Sequence, residues 1–187
     1  KSKCCTSGSM SWRGMDDLSE RLSEVAGRCA LCVRALGRSR ESLGADKAAE
    51  QLFPAASVIK IGIMAALLED VSQGRLSLSQ QVPVNSRDMV GGAGVLLEME
   101  SRSYSLAELC RLMMVVSDNT ASNACLRQVE MDRLNEFFDS RGYQARVRRY
   151  FMSPAVDGND NEMTAEAAAF MLDDLCSGKH LDGELRD

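Results

Sequence analysis

Ser57 and Lys60 are the only polar side chains in Ala55-Ala-Ser-Val-Ile-Lys-Ile-Gly-Ile-Met-Ala-Ala-Leu-Leu68. The stretch is apolar nearly all round, which predicts a buried helix. A spacing of three puts both residues on one face of it. Burial disfavours the charged form of a lysine and lowers its pKa. Such a lysine can take a proton from a neighbouring hydroxyl. Ser57 falls at the helix start, behind Phe53-Pro54, where backbone N–H groups and the helix dipole stabilise an oxyanion. Nucleophile, base and oxyanion donor thus come from one short segment. The plainer reading makes Ser57 a helix cap and lets Lys60 carry its ammonium to the surface. Spacing alone does not separate the two. With 21 serines and 5 lysines, about 0.6 Ser-x-x-Lys matches arise by chance.

Ser117-Asp118-Asn119 is the more specific signal. It follows the apolar run Leu112-Met-Met-Val-Val116, and chance predicts only about 0.05 such tripeptides in a chain of this composition. As structure, three short polar residues after a buried helix make a cap and a turn. As chemistry, the Ser117 hydroxyl can relay a proton and the Asn119 amide can bind a substrate carbonyl or amide.

The elements that must hold these residues follow from periodicity and punctuation. Leu18, Leu22, Val25 and Ala26 share a helical face that Gly27 can end. A strand is predicted over 29–36, a turn at Gly37-Arg-Ser-Arg40, and a second strand within 41–52. A helix covers 55–73 and Gly74 closes it. A glycine-rich loop follows at Gly91-Gly-Ala-Gly94. The capping box Ser105-Leu-Ala-Glu108 starts a helix that runs to about Val116. Further helices are predicted over 120–128, 132–141 and 164–177, with Gly142 and Gly178 as stops. Two strands alone are marginal in water, so the sheet needs more strands than these. The pattern is α+β. Residues 1–14 read as a flexible lead and 15–187 as one domain, divided into a sheet-side part, 15–54, and a mainly helical part with the site, 55–180.

Composition narrows the function. The 187 residues are 45% apolar with three prolines, which supports a real core. A net charge of −5 argues against a nucleic-acid partner held through phosphates. No stretch reaches about 18 uninterrupted apolar residues, so no membrane span is predicted. The N-terminus lacks the apolar core of a signal peptide. His180 is the single histidine, and the seven cysteines contain one C-x-x-C, Cys29-Ala-Leu-Cys32. On a strand those two thiols point to opposite faces. No zinc set is formed, and neither metal nor cofactor is expected.

Phe53-Pro-Ala-Ala-Ser-Val-Ile-Lys60 and Val116-Ser-Asp-Asn-Thr-Ala-Ser-Asn123, sixty residues apart from serine to serine, resemble class A β-lactamases and the related penicillin-interactive serine hydrolases. Gly91-Gly-Ala-Gly-Val-Leu96 resembles the glycine turn before the capped helix of that family. Asn161-Glu-Met-Thr-Ala165 resembles its re-entry into a helix after the active-site loop. The resemblance covers roughly residues 15–180. It implies a helical domain against an antiparallel sheet. It implies Ser57 as the acylated nucleophile and Lys60 as its activator, directly or through water. Ser117 would pass a proton to the leaving nitrogen and Asn119 would bind the substrate's side-chain amide. Asp118 and Asn123 would be structural, and the Ser57 N–H would be half of an oxyanion hole. The substrate would be a small molecule, a β-lactam or a peptidoglycan-like peptide. The family is usually exported.

Two features depart from the family pattern. Its deacylating glutamate lies on a loop that here reads Arg149-Tyr-Phe-Met-Ser-Pro-Ala-Val-Asp-Gly-Asn-Asp160, with no glutamate. Ser153, Asp157 and Asp160 are the substitutes it offers. The third motif, K-T-G or K-S-G, is absent, since Gly178-Lys179-His180 does not match it. The expected fold therefore lacks its C-terminal strands, and a complementing C-terminal segment would be needed to bring them. Three functions remain: a β-lactamase-like hydrolase, a D-Ala-D-Ala-type peptidase, esterase or penicillin-binding protein, and a non-catalytic binder of the same fold.

Overall fold

The computed structural model describes residues 20–22, 24–36 and 43–178, of which 43–47 are described by backbone alone. The expected lead at 1–14, Leu18, the Gly37 turn and His180 lie outside them. Among the described residues there are seven short strands and five long helices. Strands β1 (Leu31–Arg34) and β2 (Leu43–Lys47) form an antiparallel pair. Strand β3 (Leu52–Pro54) pairs with β7 (Glu162–Thr164), which also pairs with β6 (Ala145–Arg146). Strands β4 (Gln81–Val84) and β5 (Arg102–Ser105) make a third antiparallel unit. The helices are α1 (Lys60–Ser72), α2 (Leu106–Val115), α3 (Asn119–Val129), α4 (Met131–Arg141) and α5 (Ala165–Ser177). The architecture is the expected α+β one, helices against antiparallel sheet.

The two predicted strands exist, at 31–34 and 43–47, and five more join them. Those five have four residues or fewer and pair with partners remote in sequence, so local alternation could not mark them. Val25 is a local correction. It sits in a bend after the helical residues 20–22 and 24, and it is 54% exposed. The predicted apolar face therefore does not extend to it.

Helix α1 runs through the middle of the core. Ile63, Ala66 and Leu67 are sealed from solvent, as are Ile59 before it, Leu109 on α2, Leu126 on α3 and Phe138 on α4. Helix α4 approaches α1 closely at Gly62. A β-carbon built there would stand 2.6 Å from the Phe138 ring, so only glycine permits this packing. At its far end α1 carries Glu69 and Asp70, two buried carboxylates at a helix C-terminus, where the dipole opposes them. Three arginines compensate. Arg133 bonds Glu69 at 2.9 Å and Asp70 at 3.2 Å, Arg75 bonds Asp70 through Nε at 2.9 Å, and Arg141 bonds Glu69.

Capping follows sequence chemistry. The Ser105 hydroxyl accepts from the Glu108 N–H while the Glu108 carboxylate accepts from the Ser105 N–H, the reciprocal capping box. Thr164 caps α5 through the Ala167 N–H. Gly142 and Gly178 end α4 and α5 in left-handed backbone, as their stop roles predict.

Candidate active site

The nucleophile candidate rides on a tight turn rather than on the α-helix itself. Residues Ala56–Ile59 form a 3-10 turn that leads into α1 at Lys60. The turn is anchored from behind: β3 pairs with β7, and the Ala55 N–H donates to the Asn161 carbonyl at 2.8 Å. Ala56, just before Ser57, has φ +43°, a left-handed conformation that costs a β-carbon-bearing residue energy. Such strain concentrates at functional sites. Ser57 is exposed, whereas Lys60, one turn on, is 2% exposed. Lys60 therefore does not carry its ammonium to bulk solvent.

Lys60 faces the Ser117-Asp118-Asn119 turn instead. Its Nζ donates to the Ser117 carbonyl at 2.6 Å, to Ser117 Oγ at 2.9 Å and to Asn119 Oδ1 at 3.0 Å. Ser117 Oγ donates in turn to Ser57 Oγ at 2.9 Å. A continuous hydrogen-bond chain thus joins Lys60 to Ser57 through Ser117. Burial lowers the Lys60 pKa below its ordinary value, and the Asp118 charge opposes that shift in part. Ser117 has φ +56°, a second left-handed residue in the same small region.

Asp118 builds the floor. Its Oδ2 accepts from the Val95 and Leu96 N–H groups at 2.7 and 2.8 Å, and its Oδ1 caps α3 through the Ala121 N–H at 2.8 Å. The glycine loop at 91–94 packs onto it. Gly94 has φ +109°, and a β-carbon there would lie 2.2 Å from Asp118 Oδ2. Asn119 Nδ2 donates to the Gly91 carbonyl at 2.9 Å. Asn123, one turn further, grips the loop that follows β6. Its Nδ2 donates to the Phe151 carbonyl at 3.1 Å, and its Oδ1 accepts from the Phe151 N–H at 2.8 Å.

That loop is closed at both ends. Asn161 Oδ1 accepts from the Arg148 and Arg149 N–H groups, and Asn161 Nδ2 donates to the Arg149 carbonyl. Arg149 Nε donates to Asp160 at 2.9 Å. Asp160 is thus committed to closing the loop, which corrects its reading as a substitute for the missing glutamate. Ser153 and Asp157 are exposed. Phe151 of this loop faces the site, with its ring centroid 4.6 Å from Lys60 Nζ. The sequence of the loop points to its carboxylates and hydroxyls and gives no sign of this ring. The contact depends on the Asn123 clamp, 28 positions away.

All six residues singled out from sequence, Ser57, Lys60, Ser117, Asp118, Asn119 and Asn123, therefore fall in one connected region. The model of the beta-lactamase enzyme family matches residues 14–187, and the chain belongs to that family. A β-lactamase of Rhodobacter capsulatus is 30% identical over 138 residues, 68% of this chain and 47% of the relative. Among solved structures, a β-lactamase from Sphaerobacter thermophilus superposes with a TM-score of 0.81 at 25% identity, covering 95% of this chain and 67% of that one. An ancestral class A β-lactamase gives 0.78 at 27% identity, covering 91% of this chain and 66% of its own. The chain thus spans about half the length of the Rhodobacter relative. Its fold is the β-lactamase fold, and its resemblance to class A and penicillin-interactive proteins is one of family. Among the described residues no helix is long and apolar enough to cross a membrane.

Proposed function

We propose that the chain carries the acylation machinery of a serine hydrolase in which Ser57 is acylated by a small-molecule β-lactam. The observation that carries this reading is the Lys60–Ser117–Ser57 chain. With Lys60 protonated the chain runs outward: the ammonium donates to Ser117 and Ser117 donates to Ser57. With Lys60 neutral the same atoms can reverse, so that the Ser57 proton passes to Ser117 and the Ser117 proton to Lys60 Nζ. Ser57 Oγ then attacks the lactam carbonyl, and the C–N bond breaks as Ser117 returns a proton to the leaving nitrogen. Asn119 is the group that receives the substrate's side-chain amide, and the Ser57 N–H supplies one oxyanion donor. Asp118 and Asn123 position these groups without touching the reacting atoms. A complementing C-terminal segment would bring the second donor and the cationic subsite of the K-T-G strand. Export is the compartment that fits the family.

Within this reading, accumulation of the acyl-enzyme is favoured over rapid turnover. The loop that would activate a hydrolytic water presents the Phe151 ring to Lys60 rather than a carboxylate. An aromatic ring cannot take a proton from water. That supports penicillin-binding behaviour, with a peptidase-like or esterase-like acyl transfer as its native counterpart. A non-catalytic binder would have no need for three hydrogen bonds that hold a buried lysine against Ser117 and Asn119.

The test is labelling of the intact protein with a fluorescent penicillin. A stable adduct on Ser57, lost in Ser57→Ala, is expected. An intact wild-type protein that forms no adduct would overturn the proposal.

A further inference from the structure

Two cysteines meet inside the helical layer. Cys110 on α2 and Cys125 on α3 are both buried, and both are free thiols in this structure. Their positions match. Cys110 lies seven residues before Ser117, and Cys125 lies seven residues after Asp118. Seven residues make about two helical turns. The link between the helices, 116–118, is three residues long, and so short a link folds α3 back along α2. The two helices pack directly on each other. The small side chains Ala121 and Ala124, sealed from solvent on α3, allow close packing around that helix. The two cysteines thus stand at the same height on adjacent helices, and their thiols share a hydrogen bond. Cys125 donates and Cys110 accepts. That bond holds the Cys110 thiol below its ordinary pKa and, together with burial, pushes the Cys125 thiol well above its own.

We infer that Cys110 and Cys125 are a disulfide site, a staple across the helix pair that carries the Ser117-Asp118-Asn119 turn. The oxidant is a small-molecule disulfide, a class that prevails in the exported compartments proposed above. Cys110, the more readily ionised thiol, reacts first. Its thiolate attacks one sulfur of the oxidant, the oxidant's S–S bond breaks, and one thiolate leaves. Cys125 then gives up its proton and attacks Cys110 Sγ. The bond between Cys110 and the carrier breaks, and the second thiolate leaves. The protein loses two protons and two electrons, and one small disulfide becomes two thiols. The folded pair is sealed, so exchange runs through chains in which the helix pair has opened. The closed loop contains Ser117, Asp118 and Asn119 but neither Ser57 nor Lys60. The staple restricts the unfolded chain and holds the turn in place. It does not depend on acylation of Ser57.

The test incubates the intact protein in mixed reduced and oxidised glutathione at its urea midpoint, where every chain opens and recloses. It is then returned to buffer, alkylated and digested with trypsin without reduction. Cleavage after Arg102, Arg111 and Arg127 puts Cys110 in the peptide 103–111 and Cys125 in 112–127, each with one cysteine. A disulfide-linked pair of these two peptides is expected, and dithiothreitol should separate it. The oxidised protein should melt about 5–10 °C above the reduced one, as closing a loop of this length in a chain of this size implies. In Cys125→Ala that difference should be lost. Recovery of both peptides only as alkylated thiols or glutathione adducts overturns the inference. So does a Tm difference in Cys125→Ala equal to that of the wild type. If Cys125→Ala does not fold, the wild-type peptide map decides alone.

Discussion

Lys60 Nζ and Ser117 Oγ lie 2.9 Å apart, and this bond joins the buried amine to the exposed Ser57 hydroxyl, the proposed nucleophile. Because burial lowers the Lys60 pKa below 10.5, its neutral form becomes available at a lower pH than for a free lysine. The acylation rate constant should therefore rise with pH and level off below 10.5. Stability has its own sign. Between the folded-state pKa and 10.5 the unfolded chain binds the extra proton, so stability from this group rises with pH across that window. Below the folded value both states are charged, and the full cost of burying the ammonium is present. Lys60→Met should lower acylation by about a hundredfold or more. An unaltered acylation profile in Lys60→Met would exclude Lys60 as the base.

The Phe151 contact makes a prediction in the opposite direction. Phe151→Glu places a carboxylate on a backbone that Asn123 already clamps on both its N–H and its carbonyl. A general base at that point should shorten the acyl-enzyme lifetime by about a hundredfold, within the usual range for such catalysis. The decay of fluorescent adduct after excess label is removed gives the lifetime directly. An equal lifetime in the two proteins would mean that water cannot reach the ester from this loop.

Asp118 should prove structural in the first instance. It is sealed from solvent and accepts from three backbone N–H groups, those of Val95, Leu96 and Ala121. Asp118→Ala leaves all three without their acceptor, a cost of about 3 kcal/mol or more given typical penalties for unsatisfied buried donors. Thermal unfolding should show the loss as a clear drop in Tm. Asp118→Asn keeps a single carbonyl oxygen as acceptor and should fall between the two. A Tm for Asp118→Ala within experimental error of wild type would show that the glycine loop does not depend on it.

Much of this site was legible because its chemistry is local. Ser57 and Lys60 share one turn, and Ser117, Asp118 and Asn119 are consecutive, so residue type and spacing were enough to find them. The helices were legible for similar reasons: the Ser105 box and the stops at Gly142 and Gly178 act within a few residues. Phe151 was not. Nothing in Tyr-Phe-Met-Ser marks that ring as facing Lys60, because its placement follows from the Asn123 and Asn161 bonds to the loop, made from distant parts of the chain. The short strands β3, β6 and β7 were hidden in the same way. Two or three residues carry no readable alternation, and β7 was visible only as the approach to α5.

The ion-pair network behind the site gives a last prediction, on stability rather than chemistry. Glu69 and Asp70 are adjacent at the end of the helix that begins with Lys60, and Arg133 on α4 is bonded to both. Arg133→Met keeps the aliphatic packing and removes the shared cation. The two buried carboxylates would then face each other with Arg141 and Arg75 left to balance them. Breaking a buried pair by removing one partner commonly costs 3–5 kcal/mol, and about 2 kcal/mol is expected here because two arginines remain. Because α1 carries Lys60 at its other end, Arg133→Met should leave the Ser57 labelling rate intact below its Tm. Urea titrations of the wild type and Arg133→Met test the first part. An unchanged urea midpoint in Arg133→Met would show that the pairs with Arg141 and Arg75 hold the two carboxylates without it.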